Sequence, residues 1–201
     1  MTKTVEFIFD FGSPNAYLAH KVIPALAQRT GARFDYVPCL LGGIFKATGN
    51  QSPMAAFSGV KNKLEYEARE RDRFVARHGL TAFRWSPHFP VNTLTIMRGA
   101  VAAEMDGQLA PYVDAMFRGM WEEARKLDDP AVIMETLAAA GFEAKRYQQR
   151  VQDQDVKDKL VANTTRAVER GAFGSPTFFI GDEMWFGKER LRDIEDYLLA
   201  S

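Results

Sequence analysis

Apolar and polar positions alternate near the start of the chain. Val5-Glu6-Phe7-Ile8-Phe9 reads as a buried strand. After Asp10-Phe11-Gly12 the period changes, and Tyr17 to Gln28 is amphipathic at helical spacing. A helix over about 14–29 is predicted, broken by Thr30-Gly31, with a second strand at about 33–38. Strand, helix, strand with one crossover is a right-handed parallel unit. The next stretch, Leu41 to Pro53, is rich in glycine and turn formers and predicts a short helical turn inside a loop. Residues 59–78 are dense in both signs of charge, with only Leu64, Ala68 and Val75 as an apolar stripe, and predict a solvated helix. Trp85-Ser86-Pro87-His88-Phe89-Pro90-Val91-Asn92 is a proline-punctuated loop. Its rings either line a pocket or plug the edge of the core.

Helices follow to about residue 105 (capped by Asn92 or Thr93), through Leu109 to Trp121, from Asp129-Pro130 to Gly141, and over about 143–152 and 154–170. Strands then return. Pro176 to Ile180 and Glu183 to Phe186 form a hairpin about Gly181-Asp182. In the last helix Leu191, Ile194 and Leu198 face inward and Lys188, Glu189, Arg190 and Arg192 outward. The order βαβ, helical block, αββα makes an α/β protein with one small mixed sheet. The cleft between sheet domain and helical block is the expected ligand site.

The 201 residues are 46% hydrophobic, enough for a real core, and the 26 basic and 26 acidic residues cancel. That balance points away from nucleic acid and anionic membranes. No run spans a bilayer and no signal peptide is evident, so a cytoplasmic location is expected. With one cysteine, Cys39, an internal disulfide is impossible. His20, His78 and His88 show no ligand spacing, and no metal motif is present. The chemistry left is at Ser13-Pro14. Ser13 is placed as N-cap and Pro14 as first helical residue. A helix N-terminus carries unpaired N–H groups and partial positive charge, so an anion is stabilised there. Ser-Pro is also an ordinary helix start, in which case Ser13 is a cap alone.

With the order and these residues in hand, the chain resembles the DsbA-like branch of the thioredoxin superfamily: a thioredoxin-like βαβ…αββα domain with a large all-helical insertion after the second strand. The implied division is 1–42 with 153–201, and 43–152. That branch opens its first helix with Cys-x-x-Cys and places a cis proline before its third strand. Here the positions hold Ser13-Pro14-Asn15-Ala16 and Gly174-Ser175-Pro176-Thr177. Thiol–disulfide exchange needs a thiolate on the protein, and this site has none. Asp10-Phe11-x-Ser13-Pro14-x-x-Tyr17-Leu18-Ala19, Gly49-Asn50, the element at 174–177 and Gly181 to Gly187 are similar to the glutathione-using branch. That branch contains the kappa-class glutathione transferases and the 2-hydroxychromene-2-carboxylate isomerases, and the last motif favours the isomerases.

The resemblance implies a glutathione cofactor whose sulfur receives a hydrogen bond from Ser13. Ser175 and Pro176 would meet its cysteinyl backbone, and Asn50 lies in a contacting loop. Phe186, Gly187, Lys188 and Glu189 would approach the γ-glutamyl group. Lys188-Glu189 replaces a small polar residue followed by Asp. Either Lys188 pairs with a glutathione carboxylate and Glu189 with its ammonium, or Lys188 is a surface charge. The implied reaction converts 2-hydroxychromene-2-carboxylate, or a related aromatic acid, to trans-o-hydroxybenzylidenepyruvate in aromatic hydrocarbon catabolism, with a homodimer as assembly. Phe45, Lys46, Trp85, His88 and Asn92 are candidates for the aromatic carboxylate. Alternatives are a kappa-like glutathione transferase and a non-catalytic thioredoxin-fold binding protein.

Overall fold

The computed structural model describes residues 3–200. Strand β1 (Thr4–Phe9), helix α1 (Pro14–Thr30) and strand β2 (Arg33–Pro38) form the opening unit. β1 and β2 run parallel, with Thr4 opposite Arg33 and Phe9 opposite Pro38. Strands β3 (Thr177–Ile180) and β4 (Glu183–Phe186) complete a four-stranded mixed sheet in the order β2-β1-β3-β4. β3 pairs antiparallel with both β1 and β4. Because β1 is central, its alternation is spent on two cores. Val5, Phe7 and Phe9 join the large cluster with α1, whereas Ile8 joins Cys39, Ile44, Ala167, Ala172 and Phe179 on the other face.

Between β2 and β3 the described residues hold helices and no strand, as expected: α2 (Leu41–Thr48), α3 (Pro53–Ala56), α4 (Lys63–His78), α5 (Leu94–Met105), α6 (Leu109–Trp121), α7 (Pro130–Ala139), α8 (Ala144–Arg150) and α9 (Gln154–Glu169). α2 is longer than the short turn the glycines suggested. Packing explains it: a Cβ on Gly43 would lie 3.1 Å from Thr164 Cγ2 on α9, so glycine admits the close approach. The Thr164 hydroxyl also accepts the Leu40 N–H at 3.0 Å. α4 buries no residue fully, in line with its charge pattern. The chain ends in a 3-10 turn (Lys188–Arg190) and α10 (Leu191–Ala200). Leu191, Ile194 and Leu198 are buried as expected, but Lys188 is 3% exposed and does not face outward.

A groove of about 770 Å³ lies between α1, β2, α5 and α6. His20 crosses it, its Nδ1 2.9 Å from the Tyr36 hydroxyl and its Nε2 3.0 Å from Asp114. Neither Ser13 nor any other candidate residue lines it, so the cap does not sit in this groove. No helix among the described residues is long and apolar enough to cross a membrane.

Two tests follow from this packing. α5 and α6 approach closely at Gly99, where an added Cβ would fall 2.0 Å from the Tyr112 hydroxyl, itself donating to Ile96 O at 3.0 Å. Gly99→Ala therefore lowers stability by about 1–3 kcal/mol, read by urea denaturation; an unchanged midpoint would contradict the close crossing. Burial, then the charge of Asp10, pushes the Cys39 thiol well above its usual range. The native protein is expected to resist iodoacetamide at pH 8 and to be labelled once unfolded. Stoichiometric labelling of the folded protein would show that Cys39 is not buried.

Candidate functional site

The turn between β1 and α1 is held from three sides. Asp10 is buried, and its carboxylate accepts the Gly12 N–H at 2.8 Å, the Leu41 N–H at 2.7 Å and a hydrogen bond from the Thr93 side chain. α2 has no side-chain cap of its own at Leu40, so Asp10 caps it from across the fold. Burial raises the Asp10 pKa, and the two amides and the hydroxyl oppose that rise. Gly12 leaves room for this arrangement, since a Cβ there would meet Thr93 Cγ2 at 3.2 Å and Asp10 Oδ1 at 3.3 Å. Trp121 holds the next residue, donating its indole N–H to Phe11 O at 2.8 Å.

Ser13 follows in extended conformation, the N-cap of α1, with Pro14 as first helical residue. Its Oγ accepts the Ala16 N–H at 3.1 Å and donates to Ser175 O at 2.8 Å. The Ser175–Pro176 peptide is cis, as the resemblance implied. Around it, the Thr177 hydroxyl donates to Gly174 O, and the Gly187 N–H donates to Pro176 O at 2.9 Å. Asn50 donates its amide to Phe173 O at 2.7 Å. Phe186 lies over Gly174, where a Cβ would come within 2.7 Å of its ring, and packs on Phe173 with centroids 4.5 Å apart. Ser13, Asn50, Ser175, Pro176, Phe186 and Gly187 thus converge on one loop, at 173–176. Phe173 joins them without having been singled out; its only sequence signal is an apolar residue beside the Gly-Ser-Pro turn.

Lys188 and Glu189 pair with each other, and Glu189 Oε2 lies against Gly187, where an added Cβ would fall 2.8 Å from it. The Lys188 ammonium is buried, ion-paired to Glu189 and 5.3 Å from the centre of the Phe74 ring. Both line a second cavity of about 520 Å³ between α1, α4 and α10.

The substrate candidates separate. Phe45 is half-buried and Lys46 exposed on α2, and neither side chain makes a hydrogen bond, ion pair or ring contact among the described residues. Asn92 accepts the Leu94 N–H at 3.1 Å and so starts α5. His88 is exposed, its backbone N–H on Ser86 Oγ. Trp85 belongs to an aromatic wall: it packs on Phe89 and Trp121, and Trp121 also stacks on Phe83. Because Trp121 holds Phe11, this wall adjoins the turn that carries Ser13. The cis Phe89–Pro90 peptide in the same loop had no counterpart in the sequence reading.

A neutral hydroxyl at a helix N-terminus, buried beside the half-buried Ser175, can hold an anion but cannot exchange disulfides. Comparison with known proteins bears on that geometry. The family model described as "DSBA-like thioredoxin domain" matches residues 4–199. A Pseudomonas putida protein named 2-hydroxychromene-2-carboxylate isomerase is 32% identical, the match covering 95% of this chain and 92% of that one. The rat protein named glutathione S-transferase kappa 1 is 25% identical over 98% and 91%. A solved 2-hydroxychromene-2-carboxylate isomerase superposes with a TM-score of 0.82 at 29% identity, covering 98% of this chain and 95% of that one. The chain therefore belongs to the DsbA-like thioredoxin family, in the branch of the 2-hydroxychromene-2-carboxylate isomerases and kappa-class glutathione transferases.

Proposed function

We propose that the chain is a glutathione-dependent isomerase that converts 2-hydroxychromene-2-carboxylate, or a closely related aromatic acid, to its open trans-benzylidenepyruvate isomer. The observation that carries this reading is the Ser13 hydroxyl at the mouth of α1, 2.8 Å from Ser175 O on the cis-proline loop. The isomerase relatives supply the reaction, and the kappa-class relatives supply glutathione by name. The residues present fit that cofactor. An extended peptide needs a backbone edge, which Ser175 provides, and a thiolate needs a donor at a positive helix end, which Ser13 provides. When bound, glutathione supplies a thiolate that adds reversibly to a conjugated alkene, so that the bond can rotate.

The chain's own part is a change of partner. A hydroxyl has one proton, and Ser13 now gives it to Ser175 O. With a peptide N–H supplied to that carbonyl, Ser13 would be able to turn its proton toward the sulfur without leaving Ser175 O unpaired. A free thiol has a pKa of about 8.5. Lowering it by two units needs roughly 2.7 kcal/mol, within reach of one charge-assisted hydrogen bond plus the helix dipole. Ser13 has no base among its hydrogen-bond partners, so it acts as donor and not as nucleophile. Asn50, Phe186 and Gly187 border the same loop. Lys188 pairs with Glu189 Oε1, which leaves Glu189 Oε2 beside Gly187 for the ammonium of a γ-glutamyl group. The reading includes a cytoplasmic homodimer.

Ser13→Ala is expected to cost about 1 kcal/mol of stability as a lost cap and to raise the pKa of bound glutathione by one to two units. Thiolate absorbance against pH for the two proteins reads that shift, and superimposable curves would remove Ser13 from the mechanism. Turnover of 2-hydroxychromene-2-carboxylate should require glutathione and return it unconsumed. Accumulation of a stable glutathione conjugate would assign the transferase reaction in its place, and turnover without glutathione would overturn the reading.

A further inference from the structure

We infer that Arg71, with Trp85 and Phe83, forms a subsite that recognises the carboxylate of a planar aromatic substrate, and so sets specificity. This rests on the function proposed above. Three observations lead to it.

First, Arg71 is a half-buried cation on α4, its side chain 24% exposed. Its guanidinium lies 5.0 Å from the centre of the Trp85 ring and 5.9 Å from that of Phe83. Its Nε and Nη2 donate to Asp72 Oδ1 at 3.2 and 3.0 Å, the two-donor fork that an entering carboxylate would take over from Asp72. Second, its ion-pair partner is weak. Asp72 is the adjacent residue and is 69% exposed, a pairing that solvent screens and that an entering carboxylate can replace. Third, the wall reaches solvent on one side and is joined on the other, through the buried Trp121 and Tyr17, to the turn that carries Ser13. Trp85 is 42% exposed, while its inner edge packs on Trp121, which holds Phe11 two residues before Ser13. Phe83 stacks on Tyr17, one turn into α1 from Ser13. An exposed indole with a cation across its face suits a ligand with an aromatic ring and an anionic group.

The test is calorimetric titration of the full chain, with glutathione saturating and again without it, using chromone-2-carboxylate and its neutral carboxamide as probes. The wild type should bind the carboxylate at least about ten-fold more tightly than the amide. Arg71→Met should abolish that preference, Arg71→Lys should keep part of it, and Ser13→Ala should leave it intact. Trp85→Ala should weaken both probes while keeping the preference, which serves if Arg71→Met does not fold. A preference that survives in Arg71→Met, or a Trp85→Ala variant that binds both probes as the wild type does, would overturn the subsite. A protein that ignores glutathione yet prefers the carboxylate through Arg71 would support the subsite and sink the isomerase reading.

Discussion

One hydrogen bond joins the two segments on which the proposed site rests: Ser13 Oγ to Ser175 O, across 162 residues of chain. It sets the start of α1 against the turn that enters β3. Everything near it serves to keep those two backbone segments in register. β1 and β3 are neighbours in the sheet, with Ile8 opposite Thr177, so the turns leaving one strand and entering the other must meet at the same end. Sheet pairing brings them together and the side chains then fix the detail.

Asp10 carries much of that detail. A buried carboxylate is tolerated only when donors surround it, and its donors come from three segments: the Gly12 amide, the Leu41 amide of α2 and Thr93 before α5. Trp121 adds a fourth tie through Phe11 O. The result is a stiff turn with one adaptable group, the Ser13 hydroxyl, whose acceptor is a carbonyl that a peptide ligand would also seek. The single cysteine sits in the second core with its thiol pushed up by burial, so the protein keeps no reactive sulfur of its own.

The elements that were legible in the sequence are those with strong periodicity or sharp punctuation. β1 alternates across two cores, α6 shows one wide apolar face, and Ser13-Pro14 marks the helix start where the structure has it. The convergence of Ser13 with Ser175-Pro176 and Gly187 was implied by the family resemblance alone, not by the pattern of the residues. Long-range decisions were not legible. α2 forms over two glycines because α9 needs the close approach and Asp10 supplies a cap. Lys188 looks like a surface charge on a helix wheel, but a neighbouring carboxylate and the Phe74 ring bury it. Arg71 is one of several charges on a solvated helix, and nothing local marks it as the one that turns onto Trp85. Such choices depend on which face a distant segment presents.

The central claim, that the mouth of α1 takes a sulfur anion from a bound tripeptide, is tested most directly by counting protons. Titrate glutathione at pH 7.5 in two buffers of different ionisation enthalpy, with S-methylglutathione as control. With the bound thiol about two units more acidic than about 8.5, binding should release roughly eight-tenths of a proton, and the methylated tripeptide should release none. Binding of glutathione without proton release, or no binding at all, would contradict the account.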